Sequence, residues 1–160
     1  ETDVVEYIPR GGKTYRNTTS SHDLNIFYTQ LWKGELPGSK KMRELLGLKK
    51  KDWVTDKTCL PGNVLAYSKS VTVYGQVSDS GMLIVTGPRG EKINYGITVI
   101  IEDPSKTNGG RRESFRRWAR KRAEVIRDIS EGAYDHIYKK HTGKEYRCKQ
   151  HKGRHLGGRQ

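Results

Sequence analysis

The sequence predicts an α+β domain in which an antiparallel sheet is covered by a long C-terminal helix, with a small helical part before it. Three observations support this. Apolar residues recur at helical spacing in 24–32 and again in 115–137. Between them, three apolar, β-branched runs at 64–74, 81–86 and 93–102 are separated by turn residues. The 160 residues make about one domain, and a hydrophobic content of 32% leaves that domain a thin core.

Taken in order, residues 1–18 are polar, broken by Pro9 and Gly11-Gly12, and read as a surface loop. Thr18, Thr19 or Ser20 is placed to cap a helix whose apolar stripe is Leu24, Phe27, Tyr28, Leu31 and Trp32, stopped by Gly34. A shorter helix runs from Ser39, its expected N-cap, through Met42, Leu45 and Leu46 to Gly47. Residues 49–62 connect it to the strands. Gly87-Pro88-Arg89-Gly90 joins the second and third strands as an antiparallel hairpin. The long helix spans 112–140, with Phe115, Trp118, Ala119, Arg122, Val125, Ile126, Ile129, Ala133 and Ile137 on its core face. Residues 141–160 have no apolar period and read as a basic mobile tail. The apolar strand at Ile97–Ile101 would present an unpaired edge, which calls for a further strand from elsewhere.

The charge is unevenly placed. Residues 1–103 hold 14 Lys/Arg against 12 Asp/Glu, whereas residues 104–160 hold 17 against 6. The helix at 111–122 and the tail therefore form a candidate contact for a polyanion, nucleic acid or an anionic envelope polymer, with Trp118, Tyr134, Tyr138 and Tyr146 as stacking candidates. Trp118 lies on the apolar stripe, and Arg112, Arg116, Arg117, Arg120 and Lys121 mostly lie opposite it, as on any solvated helix face. No apolar run reaches the length of a membrane span or resembles a signal peptide. Cys59 and Cys148 form one disulfide or none. His141, Cys148, His151 and His155 have zinc-like spacing but lack a second cysteine pair, so no metal site is assigned.

The stretch Tyr67-Ser68-Lys69-Ser70-Val71-Thr72-Val73-Tyr74-Gly75 sets a lysine beside a hydroxyl on a predicted strand. A cation and a hydroxyl together suit an anion such as a substrate carboxylate. The plainer reading is a charge that protects an exposed sheet edge from aggregation.

The order of motifs carries a resemblance. Glu1-Thr2-Asp3-Val4-Val5-Glu6-Tyr7-Ile8-Pro9, then Arg16-Asn17-Thr18-Thr19, the helix ending in Lys33-Gly34-Glu35-Leu36, Cys59-Leu60-Pro61-Gly62, and Lys69-Ser70-Val71 stand in that order. Ser78-Asp79-Ser80-Gly81, the Gly87–Gly90 turn, Tyr95–Ile101 and the helix through Ile126–Ser130 to Tyr134-Asp135 follow. Residues 1 to about 140 thus resemble the C-terminal half of a class A β-lactamase-like serine hydrolase, a fold shared with penicillin-binding proteins. The resemblance implies amide or β-lactam hydrolysis through an acyl-enzyme on a small acyl or peptide substrate, no cofactor, and a secreted or periplasmic location. Glu1 matches the carboxylate that activates the deacylating water. Lys69 and Ser70 match the pair that binds the substrate carboxylate, and Thr72 matches the residue whose amide completes the oxyanion hole. The Ser-x-x-Lys nucleophile occurs nowhere in the chain, so a preceding N-terminal segment or separate chain is expected to carry it. Val71 replaces the motif glycine, and Val5 stands where the family has an asparagine near the hydrolytic water. These departures imply another acyl substrate, slow deacylation or a catalytically dead domain; the alternative class is a basic binding module.

Overall fold

The computed structural model describes residues 2–5, 17–48, 50–73, 75–87, 89–106 and 112–146, without the side chains of 112–114. Two helices, α1 (Ser21–Lys33) and α2 (Ser39–Leu46), precede strands β1 (Leu65–Val73), β2 (Gln76–Thr86) and β3 (Lys92–Glu102), and α3 (Arg112–Thr142) closes the order. The strands form one antiparallel sheet in the order β1-β2-β3, with α3 against one face and α1 and α2 against the other. No described helix is long and apolar enough to cross a membrane.

Local chemistry sets the helix ends. Ser20 caps α1 by accepting from the Asp23 N–H at 3.1 Å, and Gly34 ends it in a left-handed conformation (φ 79) that a Cβ would strain. At α2 the cap differs from expectation. Gly38 occupies the N-cap position, and Ser39 is the first helical residue, its hydroxyl donating to the Leu36 carbonyl at 2.6 Å.

β2 starts at Gln76, earlier than the sequence predicts, because the polar run Gln76–Ser80 pairs fully with both neighbours. As the central strand it is covered on both faces, which accounts for its unbroken apolar run Met82–Val85. Val77, Leu83, Ile97 and Val99 form one core with Val54 and Ile126, and Met82 forms a second with Tyr28 and Leu31 across the sheet.

The face of α3 that packs inward only partly follows its apolar stripe: Ile126 is core, and Trp118, Ala119 and Ala133 pack against that core as expected, but the face is turned away from Val125 and Ile129. Ala123, Ile126, Arg127, Ser130 and Tyr134 are buried, whereas Val125 and Ile129 are 38% and 44% exposed. The reason is what α3 meets. Its inner face binds the 50–60 loop through polar atoms: Ser130 Oγ donates to the Val54 carbonyl at 2.7 Å, and Arg127 Nε donates to the Asp56 carbonyl at 2.8 Å. The Arg127 guanidinium also lies over the Trp53 ring, 5.2 Å from its centroid. The Cys59 N–H donates to Glu131 Oε1 at 2.8 Å, and Tyr146 OH donates to the Cys59 carbonyl at 2.9 Å. Cys59 itself is disulfide-bonded; the other cysteine of the sequence, Cys148, lies outside the described residues.

Candidate functional site

A cavity of about 540 Å³ lies between α1, α2 and the sheet. Leu24, Phe27, Met42, Leu45, Leu46, Val71 and Ile100 make its apolar walls, and Lys69, Gln76, Ser78 and Ser80 supply polar groups from the strands. This is the size and character of a small-ligand site. Thr19 stands at its lining, and the N-terminal segment is tied there. Asp3 and Thr18 exchange backbone hydrogen bonds of 2.9 Å each, and the Thr2 and Thr19 hydroxyls are 2.8 Å apart.

The register of β1 decides which motif residues reach the cavity. Lys69 pairs with Ser80 and Val71 with Ser78, and all four line it. Side chains alternate across a sheet, so Ser70 and Thr72 start from the opposite face. Ser70 pairs with Asp79 there, and its hydroxyl donates to Asp79 Oδ2 at 2.8 Å. The Lys69 ammonium instead curls to the Ser70 carbonyl at 2.8 Å. Sequence neighbours thus serve different sides of the sheet.

The same register orients the backbone. At Gly81 an added Cβ would lie 2.7 Å from Ser68 Cα, so β1 and β2 lie close together at this pair. Close pairs in an antiparallel ladder are the non-hydrogen-bonded ones, whose N–H and C=O point away from the partner strand. Ser70–Asp79 and Thr72–Val77 follow at two-residue steps and are of the same kind. The Thr72 amide N–H therefore points to the outer edge of β1, which pairs with no other strand among the described residues, as does the Ser70 carbonyl that receives Lys69.

Behind the strand, Asp79 is fully buried and also accepts from the Trp53 N–H at 2.6 Å. Burial pushes its carboxyl above the ordinary aspartate range, opposed by the donors from Trp53 and Ser70. On the cavity side, Tyr28 is buried in α1 and its hydroxyl interacts with Ser80; burial pushes that phenol up as well.

Of the residues singled out from the sequence, Lys69 and Val71 reach the cavity, Ser70 turns to Asp79, and the Thr72 side chain is exposed. Glu1 lies outside the described residues, as do His151 and His155. Val5 is 51% exposed and its N–H donates to Asn17 Oδ1 at 2.9 Å. The sequence reading missed Asp79, Ser80 and Tyr28 as site residues. A signal for the first was present: Val77, Asp79, Gly81, Leu83 and Val85 form one alternating row, and an acid within such a row is a buried acid needing partners.

A solved structure described as "Structure of PBP-A" matches with a TM-score of 0.58 and 20% identity, over 86% of this chain and 46% of that one. At this identity the likeness is one of fold, and the chain spans about half the length of the PBP-A chain. The sequence matches no family model and no curated protein.

Proposed function

We propose that this chain is the C-terminal half of a serine acyl-hydrolase of β-lactamase or penicillin-binding type. The observation that carries the reading is the outer edge of β1, unpaired among the described residues, which brings a lysine to an apolar cavity and turns the Thr72 amide outward beside it. In this division of roles Lys69 attracts the substrate carboxylate, its ammonium steadied by the Ser70 carbonyl. The Ser70 hydroxyl braces the strand from behind through Asp79. The Thr72 N–H stabilises the oxyanion of the tetrahedral intermediate, and Glu1 acts as general base on the deacylating water.

The nucleophilic serine and its lysine come from a preceding segment or chain. Serine Oγ attacks the acyl carbon, the C–N bond breaks with a proton passing to nitrogen, and water then cleaves the acyl ester. Three features support an absent partner. The chain spans about half of PBP-A, β3 has no neighbour on its outer side among the described residues, and Val125 and Ile129 stand exposed on α3. The disulfide at Cys59 supports a secreted or periplasmic location. The test is labelling of the complete polypeptide with a fluorophosphonate probe for activated serines. Labelling that disappears in Lys69→Ala is expected; no labelling of the wild type refutes the hydrolase.

One observation favours a second reading. Arg116, Arg117, Arg120 and Lys121 are exposed in the N-terminal half of α3. Like charges at i,i+4, as in Arg116/Arg120 and Arg117/Lys121, weaken a helix, and cations sit poorly near its N-terminus, so an anionic polymer would relieve both. Salt-sensitive polyanion binding without serine labelling selects this reading.

A further inference from the structure

We propose that the hydroxyl partnering Lys69 at the ligand is that of Ser80, backed by Tyr28, rather than that of Ser70, and that the ligand is a monocarboxylate with an apolar body. The proposal deepens the reading above, resting on its assignment of Lys69 as the anion-holding residue.

Geometry separates the two hydroxyls. Ser80 is the direct cross-strand partner of Lys69 and lines the same cavity. Ser70 is one residue along β1, so its Cβ leaves the other face, and its proton is committed to the buried Asp79 carboxylate. A donor held by a desolvated carboxylate does not leave it without stranding that group.

Ser80 is the polar residue that a dry anion site needs. It is only 8% exposed, and on the cavity side it interacts with the Tyr28 hydroxyl, whose remaining valence orients the serine. Lys69 is the complementary half. Its ammonium spends one donor on the Ser70 carbonyl and retains two, and among the described residues no carboxylate stands within ion-pair distance of it. Ser78 and Gln76 continue the polar row along β2 toward the turn.

Charge and shape set the ligand class. The second lysine in the neighbourhood, Lys50, donates to the Leu46 carbonyl at the end of α2 and is not among the residues that line the cavity. Among the described residues that line the cavity Lys69 is the one cation, which suits a monoanion and leaves a phosphate dianion undercompensated. The described lining residues include no guanidinium for bidentate oxyanion recognition. Leu24, Phe27, Met42, Leu46 and Ile100 give the remainder of the ligand an apolar lining.

The experiment titrates the 160-residue chain with 4-phenylbutyrate and with its uncharged amide, by calorimetry and by NMR. The wild type binds the acid about tenfold more tightly than the amide, and Lys69→Met removes the difference. Ser80→Ala weakens the acid roughly tenfold with little effect on the amide, and Ser80→Thr restores most of the loss. Ser70→Ala, which keeps the backbone carbonyl, changes the acid/amide ratio less than about twofold, because any loosening of β1 falls on acid and amide alike. Far-UV circular dichroism and unfolding midpoints verify that each variant is folded; should Ser80→Ala fail to fold, Ser80→Thr and the Lys69→Met acid/amide ratio carry the test. Equal binding of acid and amide, no binding of either, or a loss in Ser70→Ala matched by none at Ser80 overturns the proposal. Serine labelling of the complete polypeptide is scored separately. Ser80-dependent carboxylate binding without labelling sinks the hydrolase and keeps this assignment; labelling with Ser70-dependent binding does the reverse.

Discussion

Ile126→Ala and Ile129→Ala, three residues apart on α3, should differ sharply in cost. Ile126 is fully buried among Val54, Val77, Leu83, Ile97 and Val99, where α3 crosses the sheet. Truncation removes three carbons, worth about 2.4 kcal/mol of transfer at ~0.8 per group. A cavity that stays open by ~50 Å³ adds about 1.2 kcal/mol, giving roughly 3.5 kcal/mol in total. For a chain of this size that corresponds to a fall in Tm of roughly 7–14 °C. Ile129 is 44% exposed, so its truncation forfeits only part of the transfer energy and leaves no cavity, for a cost below about 1 kcal/mol. Urea and thermal unfolding of the oxidised chain, followed by far-UV circular dichroism, measures both. Equal losses for the two variants, or a loss at Ile126 within error of zero, would mean that α3 is rotated from the face described.

Two further predictions concern the strand behind the cavity. Because burial raises the Asp79 carboxyl above its unfolded value, its contribution to stability is fully present below the ordinary aspartate range and is lost as pH rises through the raised value. The stability of the wild type relative to Asp79→Asn should therefore decline from about pH 3 upward and then level off; parallel urea-unfolding curves between about pH 3 and pH 8 would exclude the effect. Gly81→Ala puts a Cβ 2.6 Å from Ser68 Cβ and 2.7 Å from the Tyr67 carbonyl oxygen, so β1 must shift outward. It should cost about 1–3 kcal/mol, whereas Gly62→Ala, with nothing within 4 Å of the new carbon, should be near neutral in the same assay.

Much of the fold was legible because it rests on local signals. Ser20 and Gly34 bracket α1 as their chemistry dictates, and the Gly87–Gly90 segment separates β2 from β3. α3 was legible as a helix and only partly in its orientation, since Trp118, Ala119, Ile126 and Ala133 of its stripe meet the core while Val125 and Ile129 do not. Apolarity points to Val125 and Ile129, whereas the buried face is drawn inward by Ser130 and Arg127 reaching backbone carbonyls of a loop more than seventy residues away. The site was half legible for a related reason. Lys69 stands out as a cation in a β-branched run, but which neighbour shares its face depends on pairing with β2. The start of β2 reads as a polar turn until the ladder is seen to run through Ser78, Asp79 and Ser80.

The loop that supports β1 from behind has consequences for the order in which the molecule can be built. Its backbone is fastened at Val54, Asp56 and Cys59 by Ser130, Arg127, Glu131 and Tyr146, at sequence separations of 71 to 87 residues. Trp53 of the same loop holds the carboxylate that secures Ser70. During synthesis, then, the sheet can emerge and pair while the wall behind its outer strand is still unbolted. Only when residue 146 has left the ribosome is the last of these bolts available, so the ligand-facing edge is among the final parts to set. A chain stopped before that point would retain a hairpin with the right register and a Lys69 edge free to wander.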